Sequence, residues 1–206
     1  MNSHFDIIKF CLIKDLFIFT ADENYISFRI CLINGKDNEM SWQAAHALEK
    51  YIKAVLVLND ISVKKISHNI CDLYDELTKL ASELLPQELE IGSTKVNPID
   101  FIKFLSGNGN PNNRYGVYGY SFSSESMVLM DSLVFSIRRL ACNLERQTGC
   151  GKTYRQKLLE EPKWRIDIDE SPLDELINGD SYREIRDFVL DNNDAFAPND
   201  FVHKNS

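Results

Sequence analysis

The sequence predicts an all-α protein, an up-and-down bundle of four to five helices with an acidic C-terminal extension. Apolar residues recur at helical spacing along several long segments, whereas strand signals are few. The 206 residues, 44% hydrophobic and 26% charged, are sufficient for one core with an appendage. We therefore expect an N-terminal helix or extension over residues 1–19, a helical bundle over 20–159, and the acidic extension over 160–206.

The first two helices are delimited by short local signals. Thr20 and Glu23 form the pattern of a capping box, which predicts a helix start at Thr20. Gly35 predicts the end of this helix, since glycine readily adopts the backbone conformation that follows a helix. The second helix is expected over residues 38–58, where alanine and leucine favour helix, and it should end at Asn59 and Asp60.

The middle of the chain continues the helical pattern. Apolar residues at helical spacing predict a third helix over residues 67–85, closed by Pro86. Residues 86–96 are expected to be a connector. Asn97 followed by proline predicts the start of a short helix that ends near Phe104.

The second half is expected to contain one long helix. Residues 106–113, rich in glycine and asparagine, predict a loop. Ser123 or Ser124 should cap a helix that extends to about residue 147. The C-terminal segment is expected to contain short helical pieces at residues 172–178 and after a capping box at 181–184.

Charge and cysteine usage exclude several classes of protein. The net charge of −8 lies entirely in residues 160–206, which hold 13 acids and 5 bases, so the rest is neutral and the total charge indicates no general affinity for nucleic acid. The five cysteines form no CxxC pair, which argues against a zinc site or a disulfide framework. No uncharged run near the N-terminus reaches the roughly 18 residues of a membrane span. We expect a cytoplasmic protein without metal or cofactor.

Residues 41–58 form the central helix of the predicted bundle. On a helical wheel most of its surface is apolar, so neighbouring elements must cover it on several sides. Its polar residues fall within roughly 120°; we call them the polar stripe: Trp42, Gln43, His46, Glu49, Lys50 and Lys53.

Two interpretations of the polar stripe remain open from the sequence. It could be a solvated face on which Glu49 and Lys53 form an ion pair one helical turn apart. It could also line a cleft for a phosphate-bearing ligand, with Lys50 and Lys53 as cations and His46 as an acid or base.

The same helix resembles the signature helix of the HEPN (higher eukaryotes and prokaryotes nucleotide-binding) domain. The residues that carry the resemblance are Ala44-Ala45, Glu49-Lys50 and Lys53-Ala54. His68, near the start of the next helix, and Arg114-Tyr115, ahead of the last long helix, match further positions of the family pattern. The order of elements matches over about residues 20–147. The resemblance implies a helical bundle, a homodimer, and a nucleotide, RNA or protein partner, in some members within toxin–antitoxin or defence systems.

Many members of this family are ribonucleases marked by an arginine followed, after four to six residues, by a histidine. None of the four histidines of this chain lies at that spacing after an arginine. A non-catalytic binding module is therefore expected, with Lys50, Lys53, Arg114 and Tyr115 as ligand-binding candidates. Arg138 and Arg139 are further candidates, since they begin a basic segment of the chain that could bind phosphate or the acidic extension.

Two alternatives stay open. One is a ribonuclease with a rearranged active site that uses His46, His68 and Arg114 as catalytic groups. The other is a structural helical dimer without a ligand, in which the polar stripe is only solvated.

Overall fold

A computed structural model describes residues 8, 9, 11–64, 66, 68–109, 123–143 and 171–178, together with residues 185, 189, 193 and 195. The described chain is mostly helical, as predicted, with one two-stranded hairpin. Its elements are α1 (Phe19–Ile33), α2 (Asp37–Leu58), α3 (Ile70–Ala81), β1 (Leu89–Ile91), β2 (Thr94–Val96), α4 (Pro98–Asn108), α5 (Ser124–Asn143) and α6 (Pro172–Asn178).

Helix α2 lies at the centre of the core, as its apolar surface predicts. It contacts α1, α3, α4 and α5, and a π-helical stretch at Lys14–Ile18 that precedes α1. Leu48, Tyr51 and Ile52 on α2 are fully buried. In the part of the chain that the structure describes, no helix has the length and apolar character needed to cross a bilayer.

The predicted capping box at Thr20 is wrong. The chain is already helical before this position, and the Thr20 hydroxyl donates a 2.8 Å hydrogen bond to the carbonyl oxygen of Leu16. A threonine inside a helix bonds back to the preceding turn in this way, so it does not serve as an N-cap. The predicted boundary at residue 19 therefore falls within a continuous helical stretch rather than at a helix start.

The predicted ends of the first two helices are confirmed. Gly35 has a φ of +64°, and Lys36 N donates to the carbonyl oxygen of Cys31 at 2.9 Å, which closes α1. Asp60 has a φ of +63°, and Ile61 N donates to the carbonyl oxygen of Leu56 at 2.9 Å. Aspartate tolerates this left-handed conformation better than most non-glycine residues, so it can end α2 where no glycine is available.

Asparagine and serine caps set the starts of the later helices. Asn97 Oδ1 accepts from Ile99 N at 2.9 Å and Ser123 Oγ accepts from Ser126 N at 3.2 Å, as predicted. Helix α3 begins at Ile70 rather than at 67, because Asn69 Oδ1 caps it by accepting from Cys71 N at 3.0 Å. Helix α3 also ends at Ala81, earlier than predicted, and α4 continues to Asn108, past its predicted end at Phe104.

The connector predicted for residues 86–96 contains an antiparallel hairpin. Leu89 pairs with Val96 and Ile91 with Thr94, and Gly92 supplies the positive φ, +56°, that a two-residue turn needs. The sequence did not predict these strands, because strands of three residues give almost no periodic signal. Leu89 is buried and β1 contacts α5, so burial of this strand stabilises the hairpin.

The described part of the C-terminal segment belongs to the same core as the helices. Ser171, Leu173, Val189 and Asn193 are buried, and α6 contacts α1. The helix predicted at residues 172–178 is present as α6. The predicted loop beyond residue 109, the end of the long helix beyond 143 and the capping box at 181–184 lie outside the described residues.

Helix α4 ends in close contact with α2. A Cβ added to Gly109 would lie 2.5 Å from Ala45 Cβ and 3.1 Å from the carbonyl oxygen of Ser41. Gly109→Ala is therefore expected to lower the free energy of unfolding by about 1–3 kcal/mol, the usual cost of overpacking. Urea unfolding followed by circular dichroism measures this change.

Gly107, two residues earlier in the chain, provides a matched control, because a Cβ there would meet nothing within 4 Å. Gly107→Ala should raise the free energy of unfolding slightly, since alanine favours helix over glycine by about 1 kcal/mol. Adding Ala45→Gly to Gly109→Ala should recover part of the loss. Equal effects of the two alanine substitutions would contradict a close approach at Gly109.

Candidate functional site

The polar stripe of α2 is neither fully solvated nor fully buried. Of its six residues, Glu49 is buried, and Trp42, Gln43, His46, Lys50 and Lys53 are partly exposed. Residues of α1 contact one edge of the stripe, through Asn24, and His68 contacts the other. The stripe is thus a polar surface held between α1 and the start of α3.

Glu49 is the centre of the first group of polar contacts. Lys53 Nζ donates to Glu49 Oε1 at 2.6 Å, and His68 Nδ1 lies 2.8 Å from the same oxygen. The predicted Glu49–Lys53 pair is therefore present, with only 12% of the Lys53 side chain exposed. The His68 side chain, by contrast, is 79% exposed. A buried carboxylate thus holds an imidazole that faces solvent.

The ionisation of Glu49 follows from these contacts. Burial acts to raise its pKa, but the hydrogen bonds and charges of Lys53 and His68 outweigh burial and lower the pKa below its ordinary value. Glu49 is therefore an anion near neutral pH. Because a carboxylate only accepts hydrogen bonds, the hydrogen between the two groups is carried by His68 Nδ1. In the neutral imidazole, Nε2 is then an acceptor.

His46 approaches Glu49 less closely and contacts Trp42. Its Nδ1 lies 3.6 Å from Glu49 Oε2, which is longer than a hydrogen bond. Its ring centroid lies 4.3 Å from the centroid of the Trp42 ring, with the two planes inclined at 59°. These two aromatic side chains lie one helical turn apart on α2, beside the Glu49 group.

Lys50 belongs to a second group of contacts, on the side of the stripe that faces α1. Its Nζ donates to Asn24 Oδ1 at 2.7 Å and lies 3.5 Å from the carbonyl oxygen of Thr20. Asn24 Nδ2 in turn donates to Gln43 Oε1. The pKa of Lys50 is lowered, because burial disfavours the ammonium more than the nearby Glu49 and Glu23 stabilise it.

The structure separates the candidate residues that the sequence grouped together. His46, Lys53 and His68 converge on Glu49, whereas Lys50 lies apart, against α1. Arg114, Tyr115 and the side chain of Arg139 lie outside the described residues.

Arg138 lies in the interior rather than on a surface patch. Its Nε donates to Asp22 Oδ1 at 3.0 Å, and its Nη2 lies 3.3 Å from Asp22 Oδ2 and 2.9 Å from Ser171 Oγ. The guanidinium thus joins α5 to α1 and to the residue that precedes α6. This position removes Arg138 from the surface surrounding the polar stripe.

Asp22 is a buried hub that the sequence pattern did not reveal. Besides Arg138, its carboxylate accepts from the Tyr51 hydroxyl and from Leu173 N at 3.2 Å. The sequence did offer one signal, namely an aspartate on a mostly apolar helix. However, Asp22 lies between Thr20 and Glu23, so the predicted capping box offered another explanation for an acidic residue at this position.

A second buried group connects α1 to α5 and to the C-terminal segment. Asp131 accepts from the Tyr25 hydroxyl at 2.7 Å and from Arg29 Nη1 at 2.9 Å, and Asn193 Nδ2 donates to the Tyr25 hydroxyl at 2.8 Å. Burial raises the pKa of Asp131 to about 6, because desolvation of the carboxylate outweighs the attraction of Arg29. Both buried groups join elements of the core and lie away from the polar stripe.

The chemistry available at the polar stripe is that of cations, imidazoles and aromatic rings. Such a surface can bind an anionic ligand through Lys50 and Lys53, and His68 can accept or donate a proton through Nε2. Within the described residues, no group of three histidine, cysteine, aspartate or glutamate side chains is arranged to hold a metal ion.

Comparison with protein-family models, with curated proteins and with solved structures finds no match for this chain. Function is therefore inferred from the geometry of the polar stripe.

Proposed function

We propose that the protein is a HEPN-like, non-catalytic binding module whose polar stripe holds a nucleotide or RNA. The observation that carries the proposal is the position of Lys50. Within the described chain, its hydrogen bonds go to the neutral oxygens of Asn24 and Thr20, so none of them neutralises the ammonium charge. A partly buried ammonium held in this way is suited to bind a phosphate.

The neighbours of Lys50 support the same ligand class. Lys53 has three N–H donors, and the contact with Glu49 uses one of them. The exposed ring of His68 adds a further donor when it is protonated. The carboxylate of Glu49 is buried and paired, which limits its repulsion of an anion.

The wider proposal follows the resemblance at α2. It includes an up-and-down bundle of four to five helices with an acidic C-terminal extension, a homodimer in the cytoplasm, and a role beside a partner protein, as in a toxin–antitoxin or defence system. The central position of α2 and its contacts with α1, α3, α4 and α5 support the bundle.

Lys50→Met is the sharpest test of ligand binding at the polar stripe. Methionine keeps much of the length and removes the charge, and no buried carboxylate loses its hydrogen-bonded partner. Binding of a single-stranded RNA oligonucleotide should weaken by roughly tenfold, the usual effect of losing one charged hydrogen bond. The slope of log K against log salt should also fall by about 0.7. Fluorescence anisotropy over a range of salt concentrations measures both quantities.

Lys79→Met is the matched control, because Lys79 is a lysine that lies exposed on α3, where it pairs with Glu76 at 2.7 Å. It should leave RNA affinity unchanged. Equal losses in both variants would indicate a general effect of charge and would contradict a site at Lys50. A wild-type dimer that binds neither RNA nor nucleotide would favour the alternative of a structural helical dimer without a ligand.

A second candidate function, an RNase with a rearranged active site, is favoured by the contact between His68 and Glu49. A carboxylate that orients an imidazole through Nδ1 leaves Nε2 available as a general base. His46 and Arg114 are the further catalytic candidates that the sequence offers for this alternative. Incubation of RNA with wild type and with His68→Ala distinguishes the two functions: cleavage lost in the variant supports the enzyme, and intact RNA with wild type excludes it.

A further inference from the structure

Two aromatic side chains lie on the polar stripe beside its cations. Trp42 and His46 are both partly exposed, and their ring centroids are 4.3 Å apart. Lys53 lies eleven positions after Trp42, a rise of about 16 Å along an α-helix. Aromatic faces and cations thus follow one another along a single surface of α2.

This combination has a specific chemical use. Cations alone bind any phosphate, whether in a duplex or in a single strand. An aromatic face next to them adds stacking with an unpaired base, an interaction that a duplex cannot offer because its bases are stacked on one another. The apolar surface of α2 is buried in the core, but Trp42 lies on the polar side of the helix. This position indicates a role in stacking with an unpaired base.

We propose that Trp42, supported by His46, stacks an unpaired nucleobase of a ligand whose phosphates bind Lys50 and Lys53. The ligand class is therefore single-stranded RNA or a free nucleotide rather than duplex RNA. This inference rests on the proposed binding function and adds the group that recognises the base.

Tryptophan fluorescence tests the inference directly. The chain has two tryptophans, so Trp164→Phe leaves Trp42 as the single reporter. This protein is titrated with short oligoadenylate, with an abasic ribose-phosphate oligomer of the same length, and with the corresponding RNA duplex. Oligoadenylate should quench Trp42 and bind most tightly, while the abasic oligomer and the duplex should bind more weakly and without quenching.

Substitutions at Trp42 separate stacking from a structural role. Trp42→Leu should weaken oligoadenylate binding by roughly five- to 150-fold, the range expected for one stacked base, and leave abasic binding unchanged. Trp42→Phe, which keeps a ring face, should retain most of the affinity. If Trp42→Leu fails to fold, the phenylalanine variant and the quenching experiment decide whether Trp42 stacks a base.

The outcomes separate this inference from the function on which it rests. Equal affinity for oligoadenylate and for the abasic oligomer, with Trp42 unquenched, would overturn stacking and leave phosphate binding at Lys50 intact. Tighter binding of the duplex would also overturn it. Binding of none of the three probes would reject both the stacking role and the proposed function.

Discussion

Replacing Asp22 with asparagine is expected to lower the free energy of unfolding by about 3–5 kcal/mol, a larger effect than that of any other substitution proposed for this protein. Asp22 is fully buried and its carboxylate accepts hydrogen bonds from Tyr51, Arg138 and Leu173 N. Asparagine keeps the shape but removes the charge, so the buried guanidinium of Arg138 loses its counterion. A native protein is typically stable by only about 5–15 kcal/mol, which makes such a loss severe.

Urea unfolding of the wild type and of Asp22→Asn measures this effect. Asp100→Asn is the matched control, because Asp100 is an exposed aspartate on α4 that lies 3.6 Å from Lys103. It should change stability little, since exposed pairs contribute little. Combining Asp22→Asn with Arg138→Met should cost less than the sum of the single changes, because the double variant buries no unpaired charge. Strict additivity would contradict the proposed coupling.

Replacing Asp131 with asparagine is expected to remove about 3 kcal/mol of pH dependence from the stability of the protein. Burial raises the pKa of Asp131 from 3.8 to about 6, and a folded-state pKa that lies one pH unit above the unfolded one corresponds to about 1.4 kcal/mol. Between these two values the folded protein binds the proton more tightly than the unfolded chain does. The stabilisation from this group is therefore complete below about pH 4 and is lost as the pH rises through about 6.

The measurement compares the unfolding free energies of wild type and Asp131→Asn in urea at several pH values between 4 and 7. Asparagine does not titrate, so the wild type should lose stability relative to the variant as the pH rises. Asp100→Asn again serves as the control, since it replaces an aspartate outside the core. If the curves of wild type and Asp131→Asn run parallel, Asp131 does not carry the raised pKa.

Local signals in the sequence were sufficient for most helix ends. Gly35 ends α1, Asn97 caps α4 and Ser123 caps α5, as predicted. Each of these positions depends on a side chain or backbone conformation within a few residues of the chain, so no distant contact is needed to identify it.

Signals that depend on distant contacts were misread or missed. Thr20 has the pattern of a cap, but the apolar residues before it, such as Ile13 and Ile18, are buried against the core and extend the helix. The hairpin at Leu89–Ile91 depends on burial of Leu89, which residues 86–96 alone do not reveal.

In the candidate site too, some features follow from local sequence and others depend on distant contacts. Its six residues could be identified from helical spacing alone, and the Glu49–Lys53 pair follows from the i,i+4 rule. The partners of the stripe could not be predicted. Asn24 reaches Lys50 from α1, and His68 reaches Glu49 from the start of α3. These contacts join residues 19 or more positions apart, so they exist only once the helices pack.

The sequence by itself determined the helical character of this protein, the central role of α2 and the composition of the polar stripe, because all three follow from periodicity over a few helical turns. Only the tertiary structure decided which charges are buried. Arg138, a candidate for binding phosphate by its place in the chain, pairs instead with Asp22 at a separation of 116 residues. Asp131 likewise pairs with Arg29, which is distant in the sequence. Burying an unpaired charge is costly, so packing must bring such partners together, and no local pattern records which ones meet.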